Sequence, residues 1–185
     1  MDLHEALTTR RTAHLWLDEP VPEPVVERAL HAAHLAPCHR YTWPWHFIRV
    51  GPKGRERLFN IALQLKAGDS EVSDRLRDRV TRKVIHPAHL IVVTQKPAKT
   101  ADIHREDYAA IACAIQNIAL AVHADGYASK WSTGGLTRAE ATYNALCLDR
   151  ELEEIVGFVW VGVPEKQDIP TPERTPLEDH IRTTE

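Results

Sequence analysis

The sequence predicts an α+β chain folded as a single domain spanning 1–185. Three observations carry that expectation. Helix-like and strand-like segments are mixed along the 185 residues, yet strands do not alternate regularly with helices as a doubly wound sheet requires. Apolar residues make up 43% and charged residues 26%, the balance of a globular chain rather than a disordered one. No internal repeat, low-complexity block or linker divides the chain, and its length leaves room for one real core.

Taken in order, residues 2–9 read as a short helix. From Glu23 to Leu35 a second helix sets Val25, Val26, Ala29, Leu30 and Ala33 on one stripe. The run APCHRYTWPWHF, 36–47, then places two prolines, two tryptophans and two histidines within twelve residues. Such a segment is costly to hold, because proline blocks regular hydrogen bonding and aromatic rings need partners. It leads into the strand-like FIRV at 47–50. Two charged helical stretches come next, near 54–66 and 70–84, whose Arg, Glu and Asp residues form solvated faces. HLIVVT at 89–94 is a compact β-branched run and reads as a buried strand.

Between Arg105 and Ala124 a long helix carries Ile111, Ile115, Ile118 and Val122 on one face with little polar material opposite. Such a helix must be covered, by its own fold or by another subunit. DGYASKWSTGG breaks it, with Gly126 as the C-terminal stop, and Thr137 with Glu140 forms a capping-box pattern opening a helix to about Cys147. EIVGFVWVGVP at 154–164 is the second strong strand, and the Pro- and charge-rich tail over 165–185 reads as an extended arm.

Composition excludes several classes of function. A net charge of -3 leaves no concentrated basic face for nucleic acid. The N-terminal segment lacks the apolar core of a signal peptide, and no apolar run approaches ~18 residues, so no membrane span is expected. Cysteines at 38, 113 and 147 cannot all pair, which fits a reducing compartment; the expected location is cytoplasmic.

The candidate chemistries thin out quickly. His31 and His34 share a helix face and His39 and His46 lie nearby, but there is no HExxH, no paired CxxC and no carboxylate at ligand spacing, so no metal site is expected. Cys38 precedes His39 directly, and adjacent side chains point apart, so the pair is not a dyad. GPKG at 51–54 lacks the spacing of a dinucleotide turn, and GxSxG is absent. What remains is Arg10-Arg11-Thr12: two guanidinium forks and a hydroxyl within three residues, a small cradle for an anion such as phosphate. Alone the triplet is commonplace; its weight comes from the segments downstream of it in the chain.

From Arg10 to Val50, RRTAHLWLDEPVPEPVVERALHAAHLAPCHRYTWPWHFIRV, the chain resembles the opening of the nitroreductase family of FMN enzymes. It resembles in particular the short branch in which APxHxxxxPWHF, GRER (here 54–57) and IVGF (here 155–158) recur, with similarity from Leu3 to about Ile181. The resemblance implies a central, mainly antiparallel sheet flanked by helices, in an intertwined homodimer with FMN at the subunit interface. By position, Arg10, Arg11 and Thr12 would hold the phosphate and ribityl chain, and His39 would contact the flavin of the other subunit. Trp131, Ser132 and Thr133 would line the isoalloxazine, Gly134 would allow close backbone approach, and Arg174 in the arm would close on the phosphate. Four departures mark this chain: Trp43 stands for the usual Gln, Tyr41 for Asn, His14 for a Lys that reaches the flavin pyrimidine, and Leu35 for an Arg that close relatives in the short branch can have. The implied activity is transfer of hydride from NADH or NADPH through FMN to a nitroaromatic, quinone or similar acceptor in ping-pong order, with no catalytic side chain assigned. The alternatives are a flavin-storing or regulatory module without turnover, and a specialised flavin reaction such as reductive dehalogenation or flavin cleavage.

Overall fold

Four strands, β1 (Trp45–Arg49), β2 (His89–Gln95), β3 (Ala128–Ser132) and β4 (Glu154–Gly162), form one sheet in the order β1-β2-β4-β3. Every neighbouring pair is antiparallel. The computed structural model describes residues 1–166 and 168–184; Gln167 and Glu185, two positions of the expected arm, lie outside the described residues. The two central strands are those whose β-branched runs suit burial on both faces. Along β2, Ile91 and Val93 point to one side while Leu90 and Val92 point to the other, the period-two alternation of a strand.

Each side of the sheet has its own core. On one, α2 (Glu23–His34) and α5 (Ala101–Ala124) pack Val26, Ala29, Ile111, Ile115 and Ile118 against Ile91, Val93 and Val159. On the other, α3 (Pro52–Ala67), α4 (Asp74–Val84) and α7 (Glu140–Leu146) enclose Leu58, Val80, Leu90, Phe158 and Trp160. By length and composition alone α5 is apolar enough to cross a membrane, a test that the core helix of a soluble protein also passes. Here it is a core helix with a fully buried stripe, though Tyr108, Ala109, Cys113 and Gln116 stay exposed along the opposite side.

Three expectations need correction. ASKWS at 128–132 is a strand rather than a break, paired along its whole length with β4. The Thr137–Glu140 capping box does not form. Thr137 lies inside a one-turn helix, α6 (Gly135–Arg138), with its hydroxyl donating to Gly134 O at 2.8 Å, and Ala139 precedes α7 without a side-chain cap. Helix α5 opens at Ala101 instead of Arg105, because the Thr100 hydroxyl caps it by accepting from Ile103 N–H at 3.2 Å. Gly126, at φ +86°, ends that helix as expected. All three cysteines are free.

Candidate functional site

The site is built along the free edge of β3. Helix α1 (Leu3–Thr9) delivers the chain to Arg10, and the next residues run beside β3: Thr12 bridges Ser129 in parallel, and Ala13 N–H donates to Ser129 O at 3.4 Å. Farther on, Trp16 pairs with Pro164 and Leu17 N–H donates to Val163 O at 3.0 Å, which ties the segment past the end of β4.

Arg10 and Arg11 emerge where α1 meets the last turn of α5. There Thr9 Oγ1 lies 2.8 Å from His123 Nε2. The His123 imidazole titrates below its ordinary value, chiefly through burial and then through the charges of Arg10 and Arg11. The corner is therefore electropositive. Arg11 is partly spent on the chain itself: one terminal nitrogen donates to Thr8 O at 2.8 Å and Arg10 O at 2.9 Å, and the other to the Thr171 hydroxyl. Its Nε is buried with no hydrogen-bond partner among the described residues. Arg10 has no ion-pair partner among the described residues.

Beyond this corner the same edge opens into a cleft of about 460 Å³. His14, Ser132, Thr133 and Gly134 line it, over an apolar floor that includes Phe158 and Trp160. Trp160 Nε1–H donates to Ser132 Oγ at 3.2 Å, which fixes the floor to the rim. A Cβ on Gly134 or Gly135 would meet no atom within 4 Å, and neither glycine has a positive φ. The fold itself does not require glycine there; the space belongs to whatever enters the cleft.

Three lysines also face this space: Lys66 from the end of α3, Lys83 from the end of α4 and Lys130 from β3. Two of them, Lys130 ahead of Lys83, hold His14 below its ordinary imidazole value, after the larger effect of desolvation. A lowered value means that His14 is neutral at pH 7 and gains its proton only in more acidic solution. Replacing Lys130 by Met is expected to raise the His14 titration midpoint, followed by NMR of the imidazole C–H signals; an unmoved midpoint would separate the two residues.

The other anticipated residues lie elsewhere. Trp131 points to the opposite face of the sheet from Lys130 and Ser132, as strand alternation demands. Its indole lies across Gly157, where an added Cβ would sit 2.1 Å from Trp131 Nε1. His39 and Trp43 belong to the far edge, beside β1. His39 sits in a short 3₁₀ turn with its Nδ1 3.0 Å from Glu106 Oε2, and Trp43 packs between His34 and Trp45 at ring separations of 5.9 and 6.0 Å. Arg40, Tyr41 and Trp43 all take positive φ, at 63°, 54° and 44°, a concentration of left-handed non-glycine residues that marks this loop as strained. Pro164, Glu165, Lys166, Asp168, Ile169 and Pro170 of the arm line one pocket with residues 12–15, whereas Arg174 is exposed.

Sequence reading missed the lysines, His123 and Gly157. Lys66 and Lys83 were hidden in stretches read as solvated faces. Lys130 was hidden in a segment read as a break; the alternation of Lys130 and Ser132 against Ser129 and Trp131 was the available signal. Among the described residues no group of three or more His, Cys, Asp or Glu could hold a metal ion.

The family model described as the Nitroreductase family matches residues 7–163. The chain belongs to the Nitroreductase family. Among curated members, it is 31% identical over 182 residues to a protein of Escherichia coli K12 named "Putative NAD(P)H nitroreductase YdjA", covering 96% of this chain and 98% of that one. A Bacillus subtilis member named "Putative NAD(P)H nitroreductase YfhC" is 28% identical, covering 97% and 92%. Among solved structures, a nitroreductase-like family protein from Bacillus cereus superposes with a TM-score of 0.84 at 24% identity, covering 100% of this chain and 97% of that one. An FMN- and NADPH-dependent nitroreductase from a Sphingopyxis strain reaches 0.82 at 14% identity, with both chains fully covered. The fold is thus nitroreductase-like, α+β with an antiparallel sheet, as the resemblance implied.

Proposed function

We propose that this chain is an FMN-dependent oxidoreductase that uses NADH or NADPH to reduce a small-molecule acceptor of the nitroaromatic or quinone type. One observation carries the reading: the basic corner at Arg10 and Arg11 and the cleft over Phe158 and Trp160 lie in succession along one sheet edge, joined by Thr12 to His14. The residues present suit FMN. Arg11 Nε is a buried donor without a partner, Arg10 is free of carboxylates among the described residues, and the backbone at Gly134 and Gly135 leaves room for a ring. When bound, FMN supplies hydride transfer at its N5. Arg10 and Arg11 would hold the phosphate, Thr12 would add a hydroxyl, and Ser132, Thr133 and Gly134 would line the ring beside Phe158 and Trp160. No side chain is assigned a proton. Donor and acceptor take turns at one open face, which gives ping-pong order.

The protein should purify yellow and release FMN in place of FAD or riboflavin; colourless protein that also ignores added FMN would sink the reading. Anaerobic bleaching by NAD(P)H distinguishes an enzyme from a storage module. Replacing Arg10 by Ala should weaken FMN binding roughly tenfold to a hundredfold, the worth of a charge-assisted contact of ~1.5–3 kcal/mol. The same change at the exposed Arg77 should do nothing, and equal losses in a titration of the two variants would remove Arg10 from the phosphate.

A homodimer completes the site in this reading. His39 and Trp43 stand at the β1 edge and the cleft at the β3 edge, three strand spacings of ~4.8 Å apart, so one copy cannot bring them together. A second copy covering the exposed side of α5 could present its own β1 edge to this cleft. Sedimentation at low concentration, followed at the flavin absorbance, should show FMN only on the dimer. A folded monomer that keeps FMN would refute the shared site.

A further inference from the structure

Three ammonium groups from three separate elements line one cleft, and the fold gives them nothing to neutralise. Lys66, Lys83 and Lys130 all face the 460 Å³ space, and none has a carboxylate partner among the described residues. Two of the three have a partial explanation within the fold: Lys66 and Lys83 sit in the last turns of α3 and α4, where helix dipoles favour cations. Lys130 has none. It stands in mid-strand, half-buried, paired across the sheet with Trp160, on the face that looks into the cleft. An unpaired lysine brought among like charges costs stability, and its titration reflects this: Lys130 is lowered first by burial and then by Lys66. Among the described residues, the other titratable group facing it from the strip beside β3 is His14, itself kept neutral at pH 7.

The direction of the chain fixes what such a cation faces. Thr12 runs parallel to Ser129, so Arg10 and Arg11 lie toward the start of β3, while His14 lies toward its end with Lys130 and Ser132. A ligand that fixed its phosphate at the first end would reach the cleft with its ring, where Phe158 and Trp160 and the three lysines share the lining. We propose that Lys130, backed by Lys66 and Lys83, is the permanent cation that stabilises negative charge on the ring edge of the bound ligand and so sets how readily that ring accepts an electron pair. The inference rests on the FMN reading, in which the edge is the N1–C2 carbonyl side of the flavin.

Sulfite tests this without turnover. Its sulfur lone pair forms a bond to flavin N5, the displaced electron pair settles as negative charge on the N1–C2 carbonyl edge, and dissociation restores both partners. With FMN-loaded protein, Lys130→Met should weaken sulfite binding by about tenfold or more, the effect of a charge interaction of about one pK unit. Lys130→Arg should stay within about twofold of the parent, and Lys66→Met should shift affinity in the same direction by less. Unchanged sulfite affinity in Lys130→Met overturns the proposal; should that variant lose FMN, the Lys66→Met result decides. Protein that never takes up FMN defeats the functional reading instead, and the cleft is then probed with anilinonaphthalenesulfonate against uncharged phenylnaphthylamine. Selective loss of the sulfonate in Lys130→Met supports an anion site, and equal binding to both proteins overturns it.

Discussion

Replacing Arg55 by Met is expected to destabilise the fold by about 3–5 kcal/mol, the scale of leaving several buried carbonyls without a donor. Arg55 rises from the first turn of α3 and is almost fully buried. Its guanidinium donates to Val84 O at 2.8 and 3.2 Å, Ile85 O at 2.6 Å, Ala88 O at 3.0 Å and also Pro87 O. These are the carbonyls that the end of α4 and the turn into β2 leave without backbone partners. Methionine fills similar volume yet satisfies none of them, and each orphaned carbonyl costs ~1–3 kcal/mol. Lysine should recover only part of the loss, because one ammonium cannot span the fork from Val84 to Ala88. Burial lowers the guanidinium to about 10, against a smaller opposing effect of Asp18, so it stays charged at neutral pH. Since the folded value lies below the unfolded one, this group adds stability only as pH rises above about 10, and the denaturation experiment at pH 7 is free of its titration. A urea midpoint equivalent to less than ~1 kcal/mol of loss would mean that water replaces the clamp. The same clamp holds the turn of α4 that carries Lys83, so Arg55 joins the stability of the fold to the shape of the cleft.

How much of this could be read in advance depends on which physical signal each residue leaves. The buried strands were legible because HLIVVT and EIVGFVWVGVP are apolar on both faces, and α2 and α5 because their stripes repeat at helical spacing. Strand β3 was not. It is an edge strand with one face toward the core and one lining the open cleft, so Lys130 and Ser132 made it look like a loop. The capping box at Thr137 failed for a related reason. A local motif competes with tertiary context, and here Gly134 O took the threonine hydroxyl while a turn of helix formed ahead of Glu140. The cradle expected at Arg10, Arg11 and Thr12 rests on three adjacent residues, and the structure sets beside them the buried Arg11 Nε and His123, which no local pattern announces. The lysine cluster was beyond sequence reading. Its members come from α3, α4 and β3, and only the packing of α3 and α4 against that side of the sheet assembles them.

Gly157→Ala is the smallest change expected to have a large effect on the site. Gly157 lies in β4, and its missing side chain is the space that the Trp131 indole occupies. An alanine Cβ would stand 2.1 Å from Trp131 Nε1, 2.6 Å from its Cδ1 and 3.0 Å from Ser132 O. The first two contacts can be relieved, because Trp131 is 37% exposed and its ring can swing outward. The third involves the backbone, so relief there moves the β3 edge just where it borders the cleft. Overpacking of this kind costs ~1–3 kcal/mol. Stability should fall by that amount, and FMN affinity should fall by roughly tenfold or more if displacing Ser132 and Thr133 costs at least ~1.4 kcal/mol of binding. A double-mutant cycle isolates the cause. Trp131→Ala removes the ring that the new methyl meets, so Gly157→Ala should be much milder in that background, with a coupling of about 1 kcal/mol or more between the positions. Additive losses would show that the methyl acts through Ser132 O alone. Full stability in Gly157→Ala together with unchanged FMN affinity would show that the indole is not held against β4 in solution, and that Trp131 is free to adopt a place of its own beside the cleft.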